Sequence, residues 1–366
     1  MNRLVCVGGL LLLGNIAANA ASWEQLDDAG WSARDGHAAV VLSNDHIVVM
    51  GGRDDNGRLN DVWISDDEGD SWKQLDDADW SGREYHAAVV LPNDDIVVMG
   101  GYDGFNYLND VWISDDEGES WEPLSHADWS GREHHAAVAL PTGEIVVMGG
   151  WTGVRDNDVW ILDNDGVFWE PLGNADWDGR VGHAAVALST GEIVVMGGMT
   201  SSGSQNDVWI FDDNEETWTQ QTHDAWSSGR MNHAAVVLSD DEIVVMGGNT
   251  GNRENDVWIS NNKGKYWIQL NNAGWSAREF HAVVTLSDGE IVVMGGYDGS
   301  RRNDVWISND KGKYWTQLNN AEWSAREFHA AVALPDDKIV VMGGFTNDVI
   351  PLNDVWMYNG KIIRGK

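Results

Sequence analysis

Short apolar runs alternate with tight polar turns along this chain, and nothing in it has a helical period. Residues 86–91 form one such run, His-Ala-Ala-Val-Val-Leu, closed by the turn Pro92-Asn93-Asp94-Asp95. Ile96-Val97-Val98-Met99 follows, β-branched and apolar on both faces, and Gly100-Gly101 breaks it. A variable stretch leads to Asp110-Val111-Trp112-Ile113; after a second turn at 115–118, Ser120-Trp121-Glu122-Pro123-Leu124 alternates apolar with polar. Runs this short, bounded by Gly, Asn, Asp and Pro, predict four β-strands. The first two, apolar on both faces, are expected between neighbouring sheets, and the fourth at the outside.

The same unit recurs seven times at intervals of 48 or 49 residues, with starts near Trp31, Trp80, Trp129, Trp177, Trp226, Trp275 and Trp323. Each of these tryptophans is followed by an Arg and then, three residues later, a His. A unit of this size cannot bury its apolar faces without its neighbours, so the length of 366 residues does not imply several domains. Four-stranded antiparallel blades stacked around an axis satisfy the pattern: an all-β, seven-bladed β-propeller. The seventh unit has no strand after Trp356. Ser22-Trp23-Glu24-Gln25-Leu26 matches Ser71-Trp72-Lys73-Gln74-Leu75 at four of five positions, so residues 22–26 are expected to complete the last blade. The rival segment 361–364 lacks the Trp and the Gly turn spacing.

The run Arg-x-x-His-Ala, Ile-Val-Val-Met-Gly-Gly, Asn-Asp-Val-Trp and a distal Trp resembles the kelch repeat, whose hallmarks are the double glycine and the fourth-strand Trp. The resemblance covers residues 22–358. The turns Ser65–Trp72 and Ser114–Trp121 also resemble the Asp-box of sialidase-type propellers, where the box pins a turn and has no catalytic role. The other units depart from it: Asn262 replaces the Asp in one, and Asp212–Trp218 lacks the Gly.

Residues 1–20 read as a signal peptide: Arg3, an apolar stretch from Leu4 to Leu13 too short to span a bilayer, then Ala18-Asn19-Ala20 as a cleavage site. The expectation is a secreted or periplasmic product, residues 21–366, forming one propeller with a short tail at 359–366 and no membrane span. The one cysteine, Cys6, lies in the leader, so the exported chain has no thiol for disulfides, zinc or nucleophilic catalysis. With 59 acidic and 23 basic residues the net charge is −36, which repels nucleic acid and anionic lipid. Most of that charge is solvated turn chemistry, as at Asp66-Asp67-Glu68.

In this topology the loops after strands two and four share one face. They are long and variable there, and that face is the expected binding surface. Its rim candidates are Tyr102, Trp151, Tyr297 and Arg301, residues suited to stacking on sugars or gripping carboxylates. The alternative is turn chemistry with incidental aromatics. A second set is the arginine that opens each innermost strand: Arg34, Arg83, Arg132, Arg180, Arg230, Arg278 and Arg326. In kelch domains that bind acidic peptides, arginines at this place line the pocket, so the resemblance implies a ring around one mouth of the channel. The competing account has them consumed by inter-blade ion pairs with the acids that follow directly, Asp35, Glu84, Glu133, Glu279 and Glu327. The seven histidines offer no metal-ligand spacing and are expected to hydrogen-bond inside each blade.

No cofactor and no metal is expected. The functional expectation is a monomeric, noncatalytic binding scaffold for a protein or glycan ligand, with an acidic partner as one form of it. The alternative is a carbohydrate-active enzyme similar to the kelch-type sialic-acid epimerase or to sialidases; a third reading is a structural surface protein. The sialidase resemblance requires a Tyr–Glu pair and an asymmetric arginine triad, for which Tyr85, Glu84 and Tyr102 are raw material only. The cysteine that the kelch-type copper oxidase crosslinks to tyrosine is missing.

Overall fold

The computed structural model describes residues 22–359, apart from 125–126, 164–165, 167, 213–216 and 319–320. The signal-peptide segment and residues 360–366 of the tail lie outside the described residues. Seven four-stranded antiparallel sheets make up the fold. Their innermost strands are Ala38–Val41, Ala87–Val90, Ala136–Ala139, Ala184–Ala187, Ala234–Val237, Ala282–Thr285 and Ala330–Ala333, which number the blades 1 to 7. Each innermost strand contacts those of the two adjacent blades, and the strand of blade 7 contacts that of blade 1, so the ring is closed.

Burial follows the position of each strand. The second strands, all Ile-Val-Val-Met, are completely buried, because a neighbouring blade covers each face. The first strands are only half-buried, which differs from the expectation of burial on both faces. They line the axial channel, so one edge of each small Ala or Val side chain faces open space. The cores lie between blades: one cluster joins Ile47, Val49 and Trp63 of blade 1 to Val340, Met342 and Val355 of blade 7.

The last blade takes its outer strand from the other end of the chain. Trp23–Gln25 pairs antiparallel with Val355–Tyr358, setting Trp23 opposite Tyr358 and Gln25 opposite Trp356. The Leu26 amide donates to the Val355 carbonyl at 3.0 Å and the Asn359 amide to the Ser22 carbonyl at 3.2 Å. The Trp23 ring lies 4.7 Å from Trp323 and 5.4 Å from Tyr358, and its burial ties the terminus down.

The Asn-Asp-Val-Trp motif divides its work by residue. In blade 2, Asn109 donates to the carbonyls of Ala127 and Trp129, fixing the loop to blade 3; Asp110 receives an arginine; Val111 is core; Trp112 Nε1 donates to Asp110 at 2.8 Å. On the opposite face the third-to-fourth-strand turns are pinned locally. In blade 1 the Ser65 hydroxyl donates to Asp67 and accepts from the Gly69 amide, while the Ser71 amide and hydroxyl both donate to Asp67. Burial works against the Asp67 carboxylate, but these bonds hold it below the usual range.

Candidate functional site

The seven arginines at the head of the innermost strands are not open to a ligand. Each is 0% or 1% exposed. Each grips, through both terminal nitrogens, the Asp of the Asn-Asp-Val-Trp motif of its own blade. For Arg34 and Asp61 both contacts are 2.6 Å, and for Arg326 and Asp354 they are 2.7 and 2.6 Å. A third bond runs to the first glycine carbonyl of the double glycine, Gly51 for Arg34 at 2.9 Å. The guanidinium also lies over the loop tryptophan, 5.7 Å from the Trp31 centroid. Every donor that a carboxylate ligand would need is already engaged. The expected ring of arginines around a mouth is therefore corrected to seven buried bolts, and the partners are not the acids next in sequence.

Those next acids have a different partner. Arg53 lies 3.2 Å from Asp35 and 3.2 Å from Glu84; Arg58 lies 2.5 Å from Glu84; Arg253 lies 3.1 Å from Glu279; Arg301 lies 2.6 Å from Glu327. These arginines all come from the loops after second strands. Arg301, a rim candidate, is thus a paired residue that also lies 4.8 Å from the Phe345 centroid. Tyr297 is covered by Arg253 at 4.3 Å, and Tyr102 by Arg58 at 5.1 Å, with its hydroxyl on the Gly104 carbonyl. Trp151 stands apart. Its Nε1 donates to the Tyr107 hydroxyl at 2.9 Å, and its ring reaches a cavity at the axis.

The histidines are buried as expected, but hydrogen bonding is not their role. Neither ring nitrogen of His37, His86, His135, His233, His281 or His329 has a partner among the described residues. Each ring seats on the double glycine of the preceding blade: a Cβ placed on Gly51 would lie 2.9 Å from His86 Cε1 and 3.0 Å from the Arg83 carbonyl. The histidine is a spacer that only glycine admits. Burial, with the neighbouring guanidinium adding to it, pushes His86 down to about 3, so the rings are neutral. Among the described residues no group of three or more His, Cys, Asp or Glu could hold a metal ion.

At the axial mouth a second ring appears, formed by the residue between the acid position and the histidine. Its members are Gly36, Tyr85, His134, Gly182, Asn232, Phe280 and Phe328, and every one has positive φ, including 53° at Tyr85 and 54° at both phenylalanines. Bulky residues rarely adopt this conformation. Here the ring imposes it, since the amide of one blade's residue donates to the carbonyl of the preceding one: Tyr85 to Gly36 at 3.1 Å, Asn232 to Gly182 at 2.9 Å. The side chains turn to the axis and meet there. Phe280 and Phe328 lie 4.5 Å apart, Tyr85 and His134 4.3 Å, and Tyr85 reaches Phe328 at 6.3 Å across Gly36. The aromatic arc spans blades 6, 7, 2 and 3. Gly182 and Asn232 leave the opposite side open, and a cavity of about 480 Å³ sits there, floored by Val181 and Met231.

A family model described as the KLHDC2/KLHL20/DRC7 Kelch-repeats domain matches residues 10–179 and 182–362. The chain belongs to the kelch-repeat family. No curated protein matches it.

The kelch framework accounts for what is constant in the seven units, and so isolates what is not. Arg, His, the double glycine and Asn-Asp-Val-Trp hold the blades together. The mouth ring carries Gly, Tyr, His, Gly, Asn, Phe and Phe on one backbone geometry. Sequence reasoning missed this ring of the kelch propeller. The available signal was variability within an otherwise fixed Arg-x-x-His; the missing information was the φ that turns the side chain inward.

Proposed function

We infer that this kelch-repeat propeller is an exported, noncatalytic binding scaffold whose ligand sits at the axial mouth on the face of the loops after strands two and four. The observation that carries the reading is the confinement of variation: seven blades with one framework differ mainly at the mouth ring and in the adjoining loops. A cavity lined by aromatic rings with a few polar groups is the usual form of a small-ligand site, and its volume lies within the roughly 300–1,000 Å³ such sites occupy. The positive φ of Tyr85, Phe280 and Phe328 is local strain, a cost of order 1–3 kcal/mol each that functional sites tend to retain. Export rests on the leader pattern of residues 1–20. With its arginine ring buried, the case for an acidic partner loses its main support; a glycan or a protein segment stacking on Trp151 and the aromatic arc remains.

The enzyme reading has a specific difficulty. A tyrosine nucleophile needs an easily lost proton, but burial pushes the Tyr85 hydroxyl up to about 12; Arg53 pulls the other way, and Asp35, Glu84 and Glu133 reinforce the rise. Glu84, its sequence neighbour, is held by Arg58 and Arg53.

A glycan array probed with the secreted protein, run beside a sialic-acid turnover assay, tests the reading. Binding that Trp151→Ala removes, without turnover, supports it. Turnover abolished by Tyr85→Phe or Glu133→Gln overturns it in favour of the enzyme.

A further inference from the structure

We propose that the cavity at the axial mouth receives an organic cation, an alkylated ammonium group or a guanidinium of similar size. The proposal rests on the reading of this mouth as the ligand site and adds the chemistry of what enters.

The argument starts from one broken pattern. Five blades carry an acid directly after the strand-heading arginine. Four of these acids, Asp35, Glu84, Glu279 and Glu327, are held by loop arginines. The fifth, Glu133, has no hydrogen bond or ion pair on its carboxylate among the described residues. The reason is visible in the loop ladder. Arg58, Arg253 and Arg301 occupy the returning position of their loops, paired with Arg53, Asn249 and Tyr297. In blade 2 that position is Tyr107, paired with Tyr102, and its hydroxyl serves Trp151 instead. The arginine that would neutralise Glu133 is a tyrosine.

Glu133 is also the only aspartate, glutamate, lysine or arginine lining the cavity. The nearest charges acting on it are Glu84, which repels it, and Arg58, which is occupied by Glu84. Burial raises its pKa first and Glu84 adds to the rise, against the pull of Arg58. A half-buried carboxylate without a counterion is a receptor for a positive group. The remaining walls suit the same guest. Tyr85, His134, Trp151, Phe280 and Phe328 present rings to the cavity, and ring faces attract cations most strongly where water is excluded. A neutral sugar would use the rings but leave Glu133 without a charge partner. An anion would face Glu133 directly.

Arg155 sharpens the test. It is the loop arginine whose acid is absent, because Val181 stands at the acid position of blade 4. It lies 5.7 Å from the Trp151 centroid but does not line the cavity. If the site preferred a carboxylate, Arg155 would be the group that binds it.

Calorimetric titration of the secreted protein with choline, with its neutral isostere 3,3-dimethylbutan-1-ol and with a trimethyllysine peptide decides the matter; the last two separate charge from shape and a peptide-borne from a free cation. The expected result is binding of choline or the peptide, about tenfold or more weaker binding of the alcohol, and a loss of about tenfold on Glu133→Gln. Arg155→Gln is expected to leave cation binding unchanged or stronger. Unfolding curves of both variants check that the fold is intact. Equal binding of alcohol and choline, insensitivity to Glu133→Gln, or no binding of either cation overturns the proposal. A glycan that Trp151→Ala displaces, in a protein that ignores choline, would sink the cation and leave the mouth standing as the ligand site.

Discussion

Arg83 holds Asp110 with both terminal nitrogens of its guanidinium, at 2.9 and 2.7 Å, while its main chain belongs to the preceding blade. Its amide donates to the Leu59 carbonyl and its own carbonyl accepts from Gly52. One residue thus joins two blades, and the same joint occurs at each of the seven interfaces, with Arg34 bonded to Leu352 and Gly344 across the closure. Burial opposes the charge on Asp110, yet the bonds and charge of Arg83 hold its carboxyl below the usual range.

Asp110→Ala would leave a fully buried guanidinium without its partner and should lower unfolding stability by about 3–5 kcal/mol. Arg83→Lys should recover little of the corresponding loss, because an ammonium cannot make the forked contact. Denaturant titration checks both. A cost below about 1 kcal/mol would show the pair to be as weak as a surface ion pair.

Trp23 closes the ring, and Trp23→Ala should cost about 3–5 kcal/mol through the cavity left beside Trp323 and Tyr358. Deleting residues 22–26 exposes the edge of Val355–Tyr358 and should yield oligomers on size-exclusion chromatography. A monomer of unchanged stability would mean that the closing strand contributes nothing.

Mild acid should destabilise the fold. Burial, with Arg34, Arg278 and Arg326 adding to it, takes His37, His281 and His329 down to about 3 in the folded state, below the ordinary 6.5. The unfolded chain therefore takes up protons first. The contribution is complete above pH 6.5 and falls as the pH drops toward 3, by about 1.4 kcal/mol per pH unit for each buried ring. Between pH 6.5 and 5 few carboxylates titrate, so relief of the −36 charge does not mask the effect. A urea midpoint at pH 5 equal to or above that at pH 7 would contradict this.

Tyr85→Gly separates binding from stability. Glycine relieves the strained φ of 53°, a gain of roughly 1–2 kcal/mol that offsets much of the lost half-buried contact. Thermal unfolding should move little while ligand binding at the mouth weakens. A large fall in melting temperature would show that the aromatic arc is chiefly structural.

How far the sequence revealed this molecule depends on the distance between the residues involved. The seven units, the strand order and the pairing of Trp23 with the last blade follow from repetition. The Arg83–Asp110 pair does not: the two residues are 27 positions apart and meet only because Val111–Ser114 pairs with Ile96–Met99 in a fixed register. Sequence adjacency pointed instead to Glu84, which faces a loop arginine. The histidines were legible as buried but not as spacers, since their seat is a glycine of another blade. At the candidate site, Trp151 was legible as a rim aromatic. The ring of Tyr85, His134, Phe280 and Phe328 was not, because its inward direction comes from a backbone conformation that those residue types disfavour.

The most direct test of the mouth as the ligand site is a methyl spectrum of protein labelled at methionine. Met231 lines the cavity, whereas Met50, Met99, Met148, Met196, Met246, Met294 and Met342 are buried in second strands and serve as internal references. Titration with choline, or with any glycan that binds, is predicted to shift the Met231 resonance and leave those seven in place. A bound ligand that leaves Met231 unmoved would contradict the account.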